Sequence, residues 1–283
     1  MNKVGFIGVG IMGKSMVRNL MKAGFELHIY ARTKSKVEDV IGEGAQFHES
    51  IKDCVQDCDA VITIVGFPQD VEEVYFDEGN ILDSAKKGAY LIDMTTTSPQ
   101  IAEKIYAEGT KRGFHVMDAP VTGGDTGAKA GTLSILVGGE KEDYEACMPL
   151  FEAMGTNINY QGKAGCGQHC KLANQIMIAG TLSGVCEALT YAKEQGLDPE
   201  VFMKSVATGA AGSKQLDTFG PKILKDDYAP GFFMKHFIKD MKLALIEANR
   251  KGLSLDVLSM VLANYEELEQ EGYGDLGTQA LMK

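Results

Sequence analysis

Positive charge is in short supply in this chain. Lys and Arg number 28 against 39 Asp and Glu, a formal net charge of −11 with histidine neutral. A surface of that sign is poor at sliding along nucleic acid or lying on anionic lipid, so neither partner is expected. An anionic substrate needs a local positive site instead. Long apolar runs are also scarce. No stretch approaches the ~20 apolar residues that span a bilayer, so no membrane insertion is expected. The N-terminus lacks a small-residue cleavage pattern, so no signal peptide is expected and the cytoplasm is the expected compartment. The 6 cysteines, Cys54, Cys58, Cys147, Cys166, Cys170 and Cys186, include two pairs at four-residue spacing, but even with His169 inside the second pair they do not assemble four ligands at zinc spacing. Reduced thiols, and no metal, are expected. Tryptophan is absent, which excludes nothing.

What is present is a soluble globular composition, with 45% hydrophobic and 24% charged residues over 283 positions, enough for one large domain or two ordinary ones. Residues 2–7 form a short apolar run. Gly8-Val9-Gly10-Ile11-Met12-Gly13 follows and opens a helical segment through Lys22, with Gly24 as its stop. Strand, G-x-G-x-x-G and helix together form the dinucleotide fingerprint. Gly8 makes the tight turn, Gly10 admits the pyrophosphate and Gly13 packs helix on strand, with Ile11 and Met12 in the same loop. The second strand, Glu26 to Tyr30, has no acid at its end for a ribose 2′-hydroxyl. Arg32, with Thr33 and Lys34 behind it, suits a 2′-phosphate, so NADP is expected as the preferred cofactor, with NAD as the alternative.

Ala60 to Val65 reads as a strand buried on both faces, which makes Val65 and Gly66 cofactor neighbours. Tyr90 to Ile92 is the next strand. It feeds Asp93 to Pro99, where Thr96 faces the nicotinamide half and Ser98-Pro99 caps a helix. Val116-Met117 and Leu133 to Val137 are further strands, so alternating strands and helices give an open, mainly parallel sheet through about residue 160. From Gly162 to Gly167 small residues read as a hinge. Gln168 to Gln195 holds no proline and has helical periodicity. Asp198-Pro199 starts another helix, and 232–251 and 256–271 read as two more. Residues 272–283 read as a mobile tail. The expected fold is therefore α/β: an N-terminal Rossmann doubly wound sheet (1–162) joined by a long helix to an all-α C-terminal domain (163–283).

Two stretches carry the chemistry. Asp118-Ala119-Pro120-Val121-Thr122-Gly123-Gly124 ends in a hydroxyl and two glycines, a turn whose amides can reach a bound carboxylate. Lys171 and Asn174 leave one face of the long helix. With a nicotinamide supplying hydride, the protein must manage one proton, and Lys171 is the candidate for that transfer, assisted by Asn174. Lys235, Lys239 and Lys242 line one helical face, from which one is drawn inward.

These motifs, in order, resemble the β-hydroxyacid dehydrogenase family, which includes 3-hydroxyisobutyrate dehydrogenase, tartronate semialdehyde reductase and the succinic semialdehyde/glyoxylate reductases. The resemblance rests on Gly8–Gly13 with Met12, on Asp118–Gly124 continuing to Gly131-Thr132-Leu133, on Gly165–Asn174, and on Lys239-Asp240. It covers nearly the whole chain. It implies a Rossmann domain joined to a 6-phosphogluconate dehydrogenase-like helical domain, assembled as a homodimer or homotetramer. It implies a small anionic hydroxy acid or semialdehyde as substrate, bound at Thr122, Gly123 and Gly124. Lys171 matches the catalytic lysine and Asn174 the asparagine beside it. Thr96 and Lys239 match positions at the cofactor or the closed site. Two departures stand out: Thr122 replaces a usual serine, and the usual asparagine pair is Asn174-Gln175. The rival readings are a non-catalytic dinucleotide sensor or scaffold, and a reductase of a larger carbonyl compound with Phe232, Phe233 and Phe237 lining its pocket.

Overall fold

Alternation of side chains along each strand decides how the sheet is covered. The strands are β1 (Lys3–Ile7), β2 (Glu26–Tyr30), β3 (Gln46–His48), β4 (Ala60–Thr63), β5 (Tyr90–Asp93), β6 (His115–Asp118), β7 (Val121–Thr122), β8 (Leu133–Gly139) and β9 (Gly155–Gly162). The helices among them are α1 (Ile11–Lys22), α2 (Glu38–Gly42), α3 (Ile51–Val55), α4 (Pro68–Phe76), α5 (Ile81–Ser84), α6 (Pro99–Lys111), α7 (Gly124–Ala130), α8 (Lys141–Ala146) and α9 (Met148–Met154). Phe6, Ile62, Ile92 and Met117 face one way and pack with Met16 and Leu20 of α1 and Phe151 of α9. Ile7, Val61, Leu91 and Val116 face the other and pack with Val71 and Tyr75 of α4 and Ile105 of α6. Both faces of the sheet are thus covered by helices, the arrangement that makes its central strands apolar throughout.

The strand order is β3-β2-β1-β4-β5-β6-β8-β7, with β9 paired to β8. β1 to β6 are mutually parallel, β8 runs antiparallel to β6 and β7, and β9 is parallel to β8. The order reverses beside β1, which opens the crevice at the carboxyl ends of β1 and β4 where a doubly wound sheet binds its ligand. β3, β7 and β9 carry too few apolar residues to be read from sequence; the β9 side chains are mostly exposed.

The computed structural model describes residues 1–283 and separates into two units, Met1–Lys171 and Leu172–Lys283. The helix α10 (Cys166–Glu194) starts in the first and continues through the second. It begins inside the stretch expected to be a hinge, because Gly165 and Gln168 are held by Asp118 of β6. At 29 residues, with a mean hydropathy of 1.2 over an 18-residue stretch of it, it is long and apolar enough to cross a membrane by length and composition, contrary to the expectation that no such stretch exists. A core helix passes the same test, and 44% of its most apolar window is buried within the protein.

The second unit adds α11 (Pro199–Val206), α12 (Lys214–Ile223), α13 (Met234–Arg250) and α14 (Asp256–Leu268). Asp198 caps α11 by accepting the amides of Glu200 and Val201. Phe237, Met241, Val261 and Tyr265 form its core. The mobile tail expected at 272–283 is corrected. Tyr265 Oη donates to the Thr278 carbonyl at 2.7 Å, and Gln279 Nε2 donates to the carbonyls of Asp227 and Ala229 at 3.0 and 3.1 Å. Ala280 is fully buried. Short polar sequence without periodicity concealed a segment fixed by main-chain acceptors.

Candidate active site

The fingerprint loop between β1 and α1 has the form a dinucleotide needs. Gly8 sits at φ +97, and a Cβ there would lie 2.1 Å from the Ile64 carbonyl oxygen. A Cβ on Gly13 would lie 2.2 Å from the Gly8 oxygen. Both are structural glycines. Gly10 differs: a Cβ there meets nothing within 4 Å, so the space above it is open for a ligand. Gly10 also caps α1 without any side-chain bond, and the first turn of α1 holds no acid. The first-turn amides are therefore available to an anion, and the loop fits a dinucleotide pyrophosphate on the residues present.

The neighbouring loops leave the same edge of the sheet. Ile11 is exposed and Met12 half-buried at the start of α1. Val65 and Gly66 follow β4, and Thr95 Oγ1 accepts the Val65 amide at 3.0 Å. Thr96 is half-buried beyond β5. Arg32 and Thr33 follow β2 and are exposed. The Arg32 guanidinium does not stand alone: its Nη2 donates to Asp70 Oδ1, and Glu73 lies 3.9 Å away. Thr122 ends β7. Gly123 at φ +130 and Gly124 at φ +64 form a turn that side-chain-bearing residues rarely adopt. No side chain caps α7 there, and its first-turn acid, Asp125, is paired with Lys129 at 3.2 Å.

Lys171 is buried, with 7% of its surface exposed. The start of its helix is tied to the sheet by Asp118 and Gln168. Asp118 accepts the amide of Gly165 at 2.7 Å and that of Gln168 at 2.8 Å. Gln168 Nε2 donates to the Thr95 carbonyl at 2.7 Å, while its Oε1 accepts the Thr97 amide at 3.0 Å. Gly167 allows this approach, since a Cβ there would lie 2.3 Å from the Leu136 oxygen. One turn on from Gln168 is Lys171.

Behind this junction two acids end adjacent strands in register, Asp93 on β5 and Asp118 on β6. Asp93 Oδ1 accepts from Thr63 Oγ1 at 2.8 Å and from the Thr95 amide at 3.1 Å, but Oδ2 has no partner. Full burial outweighs those bonds and pushes its carboxyl up to about 6. Burial likewise pushes Asp118 above the usual carboxylate range, against the two amides it accepts. Asp118 opens the 118–124 motif, Gln168 lies within the 165–174 run and Asp93 starts the 93–99 run, but the bonds they make across the sheet edge carry no sequence signal.

In the second unit Asn174, one turn beyond Lys171 on α10, donates Nδ2 to Gln175 Oε1 at 2.7 Å. Gln175 Nε2 donates to Asp240 Oδ2 at 2.6 Å, and Asp240 is fully buried. Lys239 Nζ lies 3.0 Å from Asp240 Oδ1 as an ion pair. Of the three lysines on α13, Lys239 is the one drawn inward, at 11% side-chain exposure against 38% for Lys235 and 49% for Lys242. Phe237 is corrected as a pocket residue: it is fully buried against Tyr265, edge to face with ring centroids 5.3 Å apart.

All six cysteines are free thiols, and no group of three or more His, Cys, Asp or Glu is arranged to hold a metal. Burial pushes the thiols of Cys58 and Cys186 up to about 12, so both stay protonated and unreactive.

Comparison with known proteins agrees with this geometry. Residues 3–162 match the family described as the NAD binding domain of 6-phosphogluconate dehydrogenase. Residues 165–283 match that described as the NAD-binding region of NADP-dependent 3-hydroxyisobutyrate dehydrogenase. The chain is 49% identical to the uncharacterized oxidoreductase YkwC of Bacillus subtilis over 99% of its own length and 97% of that protein. It is 35% identical to the 2-hydroxy-3-oxopropionate reductase of Escherichia coli over 99% and 96%. The structure of Mycobacterium tuberculosis 3-hydroxyisobutyrate dehydrogenase with L-serine superposes with a TM-score of 0.90 at 27% identity, covering 100% of this chain and 98% of that one. Matched over nearly its whole length in this way, the chain belongs to the β-hydroxyacid dehydrogenase family of NAD(P)-dependent oxidoreductases acting on CH–OH groups.

Proposed function

We propose that this enzyme interconverts a short β-hydroxy acid and its semialdehyde, with NADP preferred over NAD. The bound nicotinamide supplies or accepts the hydride. The chain supplies three things. Thr122 with the amides of Gly123 and Gly124 holds the substrate carboxylate. Lys171 takes the hydroxyl proton as the alcohol is oxidised, and returns it to the carbonyl oxygen in the reverse direction. Asn174 orients the substrate oxygen or the lysine from the same helix face. Gly8, Gly10, Ile11, Met12, Gly13, Arg32, Thr33, Val65, Gly66, Thr96 and Lys239 serve the cofactor.

The observation that carries this reading is the burial of Lys171 one turn from Gln168, whose side chain is fixed to the β5 loop. A buried lysine is costly, and one on a helix start tied to a cofactor edge has a chemical reason to be there. Relatives named for different hydroxy acids support the class of substrate and leave its identity to experiment. The test is initial-rate assay of short aldehyde acids and hydroxy acids, L-serine included, each with NADPH and NADH. Turnover of three- or four-carbon carboxylate substrates, and none of their uncharged analogues, is expected. Equal rates on carboxylates and uncharged analogues would remove the role of the Thr122 turn.

We also propose a homodimer or homotetramer. Met177, Val257 and Met260 of the second unit are 74%, 59% and 55% exposed, apolar surface on α10 and α14 that contact with a second copy would bury. Light scattering of the eluted protein tests it, and a monomer at micromolar concentration removes it.

A further inference from the structure

The expected 2′-phosphate partner, Arg32, is held by acids of another element. Asp70 stands in the first turn of α4, the helix that follows the β4 loop. Its Oδ2 accepts the Phe67 amide at 2.9 Å and closes the start of α4. Its Oδ1 takes Nη2 of Arg32. Its bond to the Phe67 main chain anchors the carboxylate beside the guanidinium independently of Arg32. Glu73, one turn on, lies 3.9 Å from the same Nη2. Lys34, the other cation behind β2, is itself 3.4 Å from Glu49. Two cations therefore stand beside three carboxylates where the sequence promised a basic pocket.

Both bidentate edges of a guanidinium use Nη2, the nitrogen that Asp70 holds, so a phosphate at Arg32 either displaces Asp70 or is received on Nε or Nη1 alone. In either position the phosphate sits within about one guanidinium width of the Asp70 carboxylate. Like charges at that range, part screened by water, weaken binding by roughly threefold to tenfold. A 2′-hydroxyl carries no charge and is not repelled by Asp70. We propose that Asp70 is a specificity-determining residue of the dinucleotide site, its carboxylate tempering the preference that Arg32 gives for a 2′-phosphate over a 2′-hydroxyl. This rests on the reading of Arg32 as the partner of that phosphate.

The test is calorimetric binding of 2′,5′-ADP and of 5′-AMP to the full-length protein, which needs no turnover. Asp70→Asn keeps an oxygen for the Phe67 amide and removes the charge. It is expected to tighten 2′,5′-ADP by roughly threefold or more and to leave 5′-AMP unchanged, with the gain shrinking as salt is added. Glu73→Gln, which touches no cap, is expected to act in the same direction more weakly. Arg32→Ala is expected to weaken 2′,5′-ADP alone. If Arg32→Ala weakens 2′,5′-ADP while Asp70→Asn and Glu73→Gln leave it unchanged or weaken it, the role of Asp70 is overturned and that of Arg32 stands. If Arg32→Ala has no effect, both fall. A gain that persists in high salt overturns the electrostatic cause.

Discussion

The Gln168 side chain grips the Thr95 main chain across 73 positions of sequence, donating to its carbonyl at 2.7 Å. With Asp118 holding the Gln168 amide at 2.8 Å, this joins the first turns of α10 to the loop after β5. Gln168 is fully buried, so its amide has no water to fall back on. Gln168→Ala is expected to cost on the order of 1–3 kcal/mol of stability through the stranded Thr95 and Thr97 groups. As a positioning residue for Lys171 it is also expected to lower kcat by roughly tenfold to a hundredfold while KM for the dinucleotide stays close to wild type. Steady-state kinetics below the melting transition check this. A stability loss with unchanged kcat would make the residue structural only.

Asp93 gives a pH dependence of defined sign. Its carboxyl is pushed up to about 6 in the folded chain by burial, against about 3.9 when unfolded. Between about pH 4 and about pH 6 the folded chain holds a proton that the unfolded chain has released. The contribution of Asp93 to stability is therefore present at the acid end, falls as pH rises through that window, and is gone above it. Asp93→Asn has no such titration. Its stability relative to wild type is expected to climb from about pH 4 to about pH 6 and then level, the total change being at most about 3 kcal/mol. Urea unfolding of both proteins across that range measures it; a flat difference contradicts the assignment.

The fingerprint glycines separate by role. Gly10→Ala meets open space, so its melting temperature is expected to match wild type while dinucleotide affinity drops roughly tenfold or more. Gly8→Ala must displace the Ile64 carbonyl at a left-handed φ and is expected to compromise folding itself. Thermal melts and cofactor titrations on the two variants distinguish the cases. Equal melting losses in both would mean that Gly10 is structural too.

The C-terminal segment is expected to be required for the second unit. Deleting residues 277–283 removes the Thr278 acceptor of Tyr265 together with the fully buried Ala280. The truncated chain should melt lower and be cut by protease within the second unit at concentrations that spare the full chain. An unchanged melt would restore the mobile-tail reading.

Legibility in the sequence followed periodicity and special residues. β2 was read to the residue, because Glu26 to Tyr30 lies between a glycine stop and a polar loop. Ser98-Pro99 and Asp198-Pro199 marked helix starts because capping is local chemistry. β9 was missed because it lies on β8 with most of its side chains in water, so it carries no hydrophobic signal. The tail was missed because its bonds reach Asp227 and Ala229, some fifty residues away. Separations of 38 and 73 residues likewise hide Asp70 from Arg32 and Gln168 from Thr95: sequence shows the charges and the helix, but pairing across the sheet edge belongs to the fold.

The most direct measurement is the single-turnover rate of Lys171→Ala on a short β-hydroxy acid, taken beside its dinucleotide affinity. A loss of roughly a hundredfold to ten-thousandfold in the chemical step with cofactor binding retained is expected of a residue that carries the proton. Wild-type turnover in that variant would contradict the account.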